Sequence, residues 1–188
     1  LICMKNDIKK NKRDEILVVA MKLASSKGFN AFSHRELAEL IGIKSSSIHY
    51  YFPTKEKLGL ALMEQYHKEV FEYLATIKHK SPKEQIEAFT GLFIETAKSE
   101  EDICLAGMLA SDMMTFGGEL KAKVKAFFND VESWISQLAR ELGLSDEQSV
   151  IFGQTYMATL EGALISTRVF GDVDRITQAQ RLLLSTLK

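Results

Sequence analysis

The chain has 188 residues, of which 46% are hydrophobic and 26% charged, and its formal net charge is −1. That is the composition of a globular protein with room for one good core and a small satellite domain. Two cysteines, Cys3 and Cys104, do not make a disulfide framework, and no apolar run approaches the roughly 20 residues that cross a bilayer.

The near-zero charge hides a division. Residues 1–57 hold 11 Lys+Arg against 6 Asp+Glu, a net of +5, and residues 58–188 hold 13 against 19, a net of −6. A basic first third on an acidic remainder fits a part that faces polyphosphate and a part kept away from it. Leu1-Ile2-Cys3-Met4 is too short for a signal peptide and runs into lysines, so Met4 is read as the start and the setting as cytoplasmic.

Helical periodicity runs through the whole sequence, and the expected class is all-α with about nine helices. The first helix spans about Asn11 to Lys27, with Ile16, Leu17, Ala20, Met21, Leu23 and Ala24 at helical spacing. Gly28 ends it, since glycine takes a positive φ at no steric cost, and Phe29 can fold back on the last turn. Ser33-His-Arg-Glu36 reads as a capping box opening a short helix that carries Leu37, Leu40 and Ile41 inward. Gly42 turns the chain. A third helix runs from about Lys44 to Tyr51, with Ile48 and Phe52 on its inner face, and Pro53-Thr54 breaks it. A long fourth helix reaches about Lys78. Ser81-Pro82-Lys83-Glu84 is a second capping box with proline at the first helical position. The helix it opens reaches about Ser99, and Glu100-Glu101-Asp102 places acid at the start of a sixth that extends to about Thr115. Gly117-Gly118 breaks the chain before a seventh, Glu119 to Leu142. Ser145 to Gln148 opens an eighth that reaches Phe170, and a ninth spans about Val173 to Leu187.

Two short helices around a tight turn, at residues 33–58, dominate the functional reading. The second opens with small polar residues and closes with aromatics and lysine. Short hydroxyls let a helix approach the floor of a DNA groove and pair with base edges, while tyrosine hydroxyls and lysine suit phosphates. On the eighth helix, Thr155, Ala158, Thr159, Gly162, Ala163 and Ser166 form a stripe of small side chains beside a bulky one of Phe152, Tyr156, Leu160 and Leu164. A small-residue face admits close approach of another helix, either of the same chain or of a second copy across a two-fold axis.

Residues 11–60 resemble the DNA-binding domain of the TetR (tetracycline-repressor) family of bacterial one-component regulators. The likeness rests on the Gly28-Phe29 corner, the Ser33–Ile41 helix, Gly42-Ile43-Lys44 and above all the run from His49 through Tyr50, Tyr51, Phe52, Pro53, Thr54, Lys55, Glu56 and Lys57 to Leu58. The resemblance implies a helix-turn-helix domain at 1–57 and an effector-binding and dimerisation domain at 58–188. It implies DNA contacts from Ser33, His34 and Arg35 at the front of the second helix. Ser45 and Ser47 take base-reading positions with Lys44 and Ser46 beside them, His49 can donate to phosphate, and Tyr50, Tyr51 and Lys55 anchor phosphates. The chain departs from the family's usual residues at Lys44, Ser46 and His49, where Ser/Thr, Gly and Tyr are common.

Cys104-Leu-Ala-Gly-Met-Leu-Ala and Leu160-Glu-Gly-Ala-Leu-Ile-Ser are similar to segments of a branch with electrophile- and small-organic-acid-responsive repressors. That likeness implies an effector pocket lined by helices four to seven, with Phe89, Phe93, Cys104, Met108, Met113, Phe116, Trp134 and Tyr156 as candidates. It also implies a dimer bundle of helices eight and nine, with the small stripe at the interface. The expected partners are an operator duplex, a small-molecule effector and a second copy of the chain, with no membrane. Cys104 as a thiol sensor is the alternative to a buried structural cysteine, and an all-helical protein-binding adaptor is a further one. His67 and His79 have no second ligand at metal spacing, no nucleophile–base motif or phosphate-cradling loop is legible, and neither catalysis, metal nor cofactor is expected.

Overall fold

The computed structural model describes residues 11–99 and 103–187. Within them the all-α expectation is borne out: nine α-helices and two short 3-10 turns, and no strand. The helices are α1 (Lys12–Lys27), α2 (His34–Ile41), α3 (Ser45–Tyr51), α4 (Lys55–Thr76), α5 (Pro82–Ala97), α6 (Leu105–Ser111), α7 (Gly118–Glu141), α8 (Asp146–Phe170) and α9 (Asp174–Leu184). The proposed start at Met4, the Cys3 thiol and the acidic run at 100–102 lie outside the described residues.

The helix ends follow from local chemistry. Asn11 accepts the Asp14 amide to cap α1, and Gly28, at φ 101°, ends it by donating to the Ala24 carbonyl. Gly42 takes the left-handed conformation between α2 and α3, where a side chain would be strained. Both arms of the capping boxes at Ser81/Glu84 and Ser145/Gln148 are formed. The box expected at Ser33 is half formed. Ser33 Oγ accepts the Glu36 amide at 3.1 Å, but the Glu36 carboxylate is met by Lys27 Nζ at 3.5 Å instead of returning to the cap. Two further expectations are corrected. Leu40 is not an inward residue: it is 59% exposed. The sixth helix stops at Ser111, and a 3-10 turn, Met113–Thr115, carries the chain on.

The helices form two compact units. Among the described residues, one takes 11–69 together with Leu105–Val124; the other takes 70–99, 103–104 and 125–187. In the first, Ile16, Leu17, Ala20, Leu37, Ile48, Phe52, Leu58 and Leu62 are buried, and α6 adds Leu109. Asn30 ties the turn after α1 to the 3-10 turn after α6, donating its amide to Asp112 Oδ2 at 3.2 Å and its side chain to Thr115 Oγ1 at 3.0 Å. Phe29 meets Phe116 edge-on at 5.6 Å. In the second unit, α7 and α8 cross at Gly153, where a Cβ would collide with Ser136 Oγ and the Glu132 carbonyl oxygen. Tyr156 and Thr90 share a buried hydrogen bond of 2.6 Å between α8 and α5. The bulky stripe of α8 lies inside as expected: Phe152, Tyr156, Leu160 and Leu164 are all buried.

Candidate nucleic-acid interface and effector site

On α3 the inner face is apolar and the outer face polar. Ile48 is fully buried and Phe52 almost so, which pins the helix to α2. Three i, i+4 rows remain: Ser45 with His49, Ser46 with Tyr50, Ser47 with Tyr51. Lys44, Ser46, His49 and Tyr50 are exposed, Ser45 and Ser47 half-buried. Tyr50, at 80% exposure, stands farthest out and meets Tyr51 edge-on at 5.0 Å. Lys44 stands at the N-cap of α3 without a side-chain cap, since an ammonium offers the helix amides no acceptor. A shallow cleft of about 350 Å³ is lined by Ser46, Ser47, Tyr50, Tyr51, Ile43 and Lys12. Lys12 was not singled out from the sequence. Its place in the first turn of α1, one residue after the cap, gave no sign that it borders α3.

The front of α2 is arranged differently from the expectation. Ser33 is engaged as the cap, and Arg35 points outward, holding Glu39 at 3.0 Å in an exposed pair of little energetic weight. His34 lies on the inner side of α2. It is buried, its Nδ1 lies 3.4 Å from Nδ1 of His49, and the two rings meet edge-on with centroids 4.7 Å apart. The reason is helical register: His34 shares the inward face with Leu37, Ala38 and Ile41. Burial, then the neighbouring His49 and Lys55, lowers the His34 pKa, so its ring is neutral near pH 7.

Lys55 also departs from its expected role as an outward phosphate anchor. It is half-buried, donates to the Phe32 carbonyl, and lies over the Phe32 ring at 3.4 Å and the Phe29 ring at 4.9 Å. Two aromatic faces and a carbonyl hold a cation that has lost much of its water. Desolvation lowers its pKa to about 8, against the opposing effect of Glu36.

The effector candidates fall into two groups. Phe89 stacks edge-on with Phe93 at 5.5 Å and with Trp134 at 5.6 Å, in the unit that also holds Tyr156 and Cys104. Met108, Met113 and Phe116 belong to the other unit, where Phe116 packs on Phe29 and Met108 lies beside Gly28. A cleft of about 530 Å³ in the second unit is lined by none of the candidates, but by Ala97, Lys98, Leu164, Thr167, Arg168, Gly171 and Val173. Cys104 is buried and its thiol hydrogen-bonds Glu161, a residue sequence reading passed over. Burial pushes the Glu161 carboxyl up to about 7, and its Oε1 is buried without a hydrogen-bond partner. A carboxylate beside the thiol opposes formation of a thiolate, which weighs against a reactive cysteine.

Of the small stripe on α8, Thr155, Ala158 and Gly162 are exposed, while Thr159, Ala163 and Ser166 are half-buried, and Ser166 accepts from Arg175 of α9 at 3.1 Å. The exposed face runs on through Ile151, Ile165 and Val169, which are 55%, 53% and 69% exposed. No helix among the described residues is long and apolar enough to cross a membrane.

Comparison with known proteins bears on both units. Residues 16–62 match the family described as bacterial regulatory proteins, tetR family, and residues 82–182 match the C-terminal domain described as transcriptional regulator LmrA/YxaF-like. The uncharacterized HTH-type transcriptional regulator YuxN of Bacillus subtilis is 35% identical over 71 residues, 38% of this chain and 24% of that protein, so the match spans about a quarter of that relative. The nucleoid occlusion factor SlmA of Yersinia pseudotuberculosis is 24% identical over 157 residues, 82% of this chain and 79% of that protein. A crystal structure of a TetR transcriptional regulator from Legionella pneumophila superposes with a TM-score of 0.90 at 32% identity, covering 97% of this chain and 100% of that one.

Proposed function

Because the chain belongs to the TetR family, and so is a transcriptional regulator with a DNA-binding helix-turn-helix, we propose that it acts as a homodimeric, effector-released repressor of a pseudo-palindromic operator. The functional division lies at residue 57, with the DNA-binding head before it and the effector-binding and dimerisation body after it. The observation that carries the reading is the outer face of α3: three hydroxyls, each one turn ahead of a ring, presented over a buried Ile48–Phe52 face. Ser45, Ser46 and Ser47 read base edges in the major groove. Lys44, Tyr50, Tyr51 and Lys12 hold the sugar–phosphate backbone, with Arg35 and Ser33 at the flank. Lys55 serves this interface by fixing the start of α4 against Phe32.

The second copy docks on the exposed face of α8, where Ile151, Thr155, Ala158, Gly162, Ile165 and Val169 align. A contiguous apolar strip of that length suits a two-fold helix contact. An effector binds in the body among Phe89, Phe93, Trp134 and Tyr156, and acts only by binding one spacing of the two heads more tightly than another. The setting is cytoplasmic, and the chain has no catalytic role.

Fluorescence anisotropy with labelled duplexes tests the reading. Duplex binding should weaken steeply as salt rises, as expected for several phosphate contacts. Ser45→Ala with Ser47→Ala should narrow the gap between preferred and random duplexes, whereas Tyr50→Ala should weaken all duplexes alike. Wild-type protein that binds no duplex at low salt removes the proposal.

A further inference from the structure

The paired histidines between α2 and α3 carry a consequence for how the head grips DNA. His49 Nδ1 lies 3.4 Å from His34 Nδ1 and also 3.4 Å from the Pro53 carbonyl oxygen. A carbonyl oxygen only accepts, so the arrangement that satisfies both contacts places the proton on His49 Nδ1, directed at Pro53 O and at the lone pair of His34 Nδ1. His34 then carries its own proton on Nε2, an atom buried without a hydrogen-bond partner. The two rings are locked edge to face at 4.7 Å, and His34 is only 9% exposed. With Nδ1 engaged inward, the outward edge of the exposed His49 is Nε2, which in the neutral ring bears a lone pair.

We propose that His34 is a positioning residue that holds the ring of His49 while the Pro53 carbonyl sets its tautomer, so that His49 grips a DNA phosphate only by taking up a proton at Nε2. The inference rests on the DNA-binding reading above. A lone pair at Nε2 repels a phosphate oxygen; the protonated edge donates a charge-assisted hydrogen bond to it. The proton comes from solvent and no covalent bond changes. Protonation keeps the Nδ1–H contact to His34 intact.

The surroundings keep the second charge off the pair. His34 is held neutral by its burial, by His49 and by Lys55. It also sits at the first position of α2, where the helix dipole disfavours a cation. The charged groups facing the pair are Lys55 from the start of α4 and, through Lys55, Glu36 from α2. The sign of the linkage is therefore set by His49: the bound state holds more protons than the free state, and affinity falls as pH rises.

Anisotropy with a labelled mixed-sequence duplex, between about pH 6 and about pH 8 at fixed low salt, tests the proposal. Affinity of the wild type should fall with pH by up to about tenfold per pH unit for each proton taken up. Calorimetry in two buffers of different ionisation enthalpy should report that uptake directly. His49→Gln should flatten the profile. His34→Leu, which leaves the ring held by Pro53 alone, should make it shallower, while His34→Asn, which keeps an acceptor near the position of Nδ1, should restore it. The same pH profile in wild type and His49→Gln, or no proton uptake, overturns the proposal even if His34→Leu fails to fold. Absence of duplex binding at every pH sinks the DNA-binding reading itself; binding without pH linkage sinks only this inference.

Discussion

Glu161 ties the stability of the body to pH, and replacing it by glutamine isolates that link. Burial raises its carboxyl from the ordinary 4.5 to about 7, while the hydrogen bond from Cys104 opposes the rise. The folded state therefore holds a proton that the unfolded chain releases between these two values. Stability contributed by the neutral acid is present below about pH 4.5 and is lost as pH climbs through about 7. Each pH unit of that window is worth about 1.4 kcal/mol, which sets a ceiling of about 3.4 kcal/mol. Relaxation around a side chain that is not fully sealed brings the expected loss to about 1–2 kcal/mol. Glutamine keeps an oxygen that can accept from the Cys104 thiol but cannot ionise. Denaturant midpoints measured at about pH 5 and about pH 8 should converge for the two proteins at the acidic end, with Glu161→Gln the more stable at the alkaline end. Two parallel profiles across this range would refute the assignment of a desolvated carboxyl.

Four other outcomes follow from the geometry. Gly153→Ala drives a methyl into the Glu132 carbonyl and Ser136 hydroxyl at the α7–α8 crossing, and thermal melts should show a loss of about 1–3 kcal/mol. Gly91→Ala on α5, where a Cβ meets nothing within 4 Å, should instead gain up to about 1 kcal/mol from helix propensity; a loss there would mean the site is not open. Ile165→Glu places a charge on the exposed face of α8 and should leave a folded monomer by light scattering; an unchanged mass would move the dimer contact elsewhere. Lys55 is depressed to about 8, so its burden on the folded state is present below that value and relieved as pH rises towards 10.5. The stability of wild type relative to Lys55→Met should accordingly rise over that alkaline window, and a flat difference would mean that Lys55 points into water.

The sequence disclosed the helices because their ends are chemically marked. Asn11, Ser81 and Ser145 cap, Pro82 starts, and Gly28, Gly42 and Gly171 stop; each acts on backbone within one turn, so no distant residue has to agree. Ser33 shows where local reading fails: its box needs Glu36 to turn back, and Lys27, nine residues away, offers that carboxylate a competing cation. The partition of the effector candidates was not legible for a similar reason, since periodicity assigns a face but not the unit that face meets. The candidate DNA-contact residues that lie deeper than their type suggests, on α2 and α4, have one cause in common. His34 precedes Leu37, Ala38 and Ile41 at i+3, i+4 and i+7; Lys55 stands in the same relation to Leu58, Gly59 and Leu62. Both were read by residue type, which says outward, although their register says inward. Glu161, with Met157 four residues before it and Leu164 three after, was passed over for the same reason. Register prevailed in each case because a helix cannot rotate one side chain out without exposing the apolar residues that share its face. A titratable group carried inward by its neighbours loses water, and its proton then becomes coupled to folding. In this chain, therefore, the polar residues at apolar positions are where pH dependence of stability should be sought, before any of the fully exposed charges.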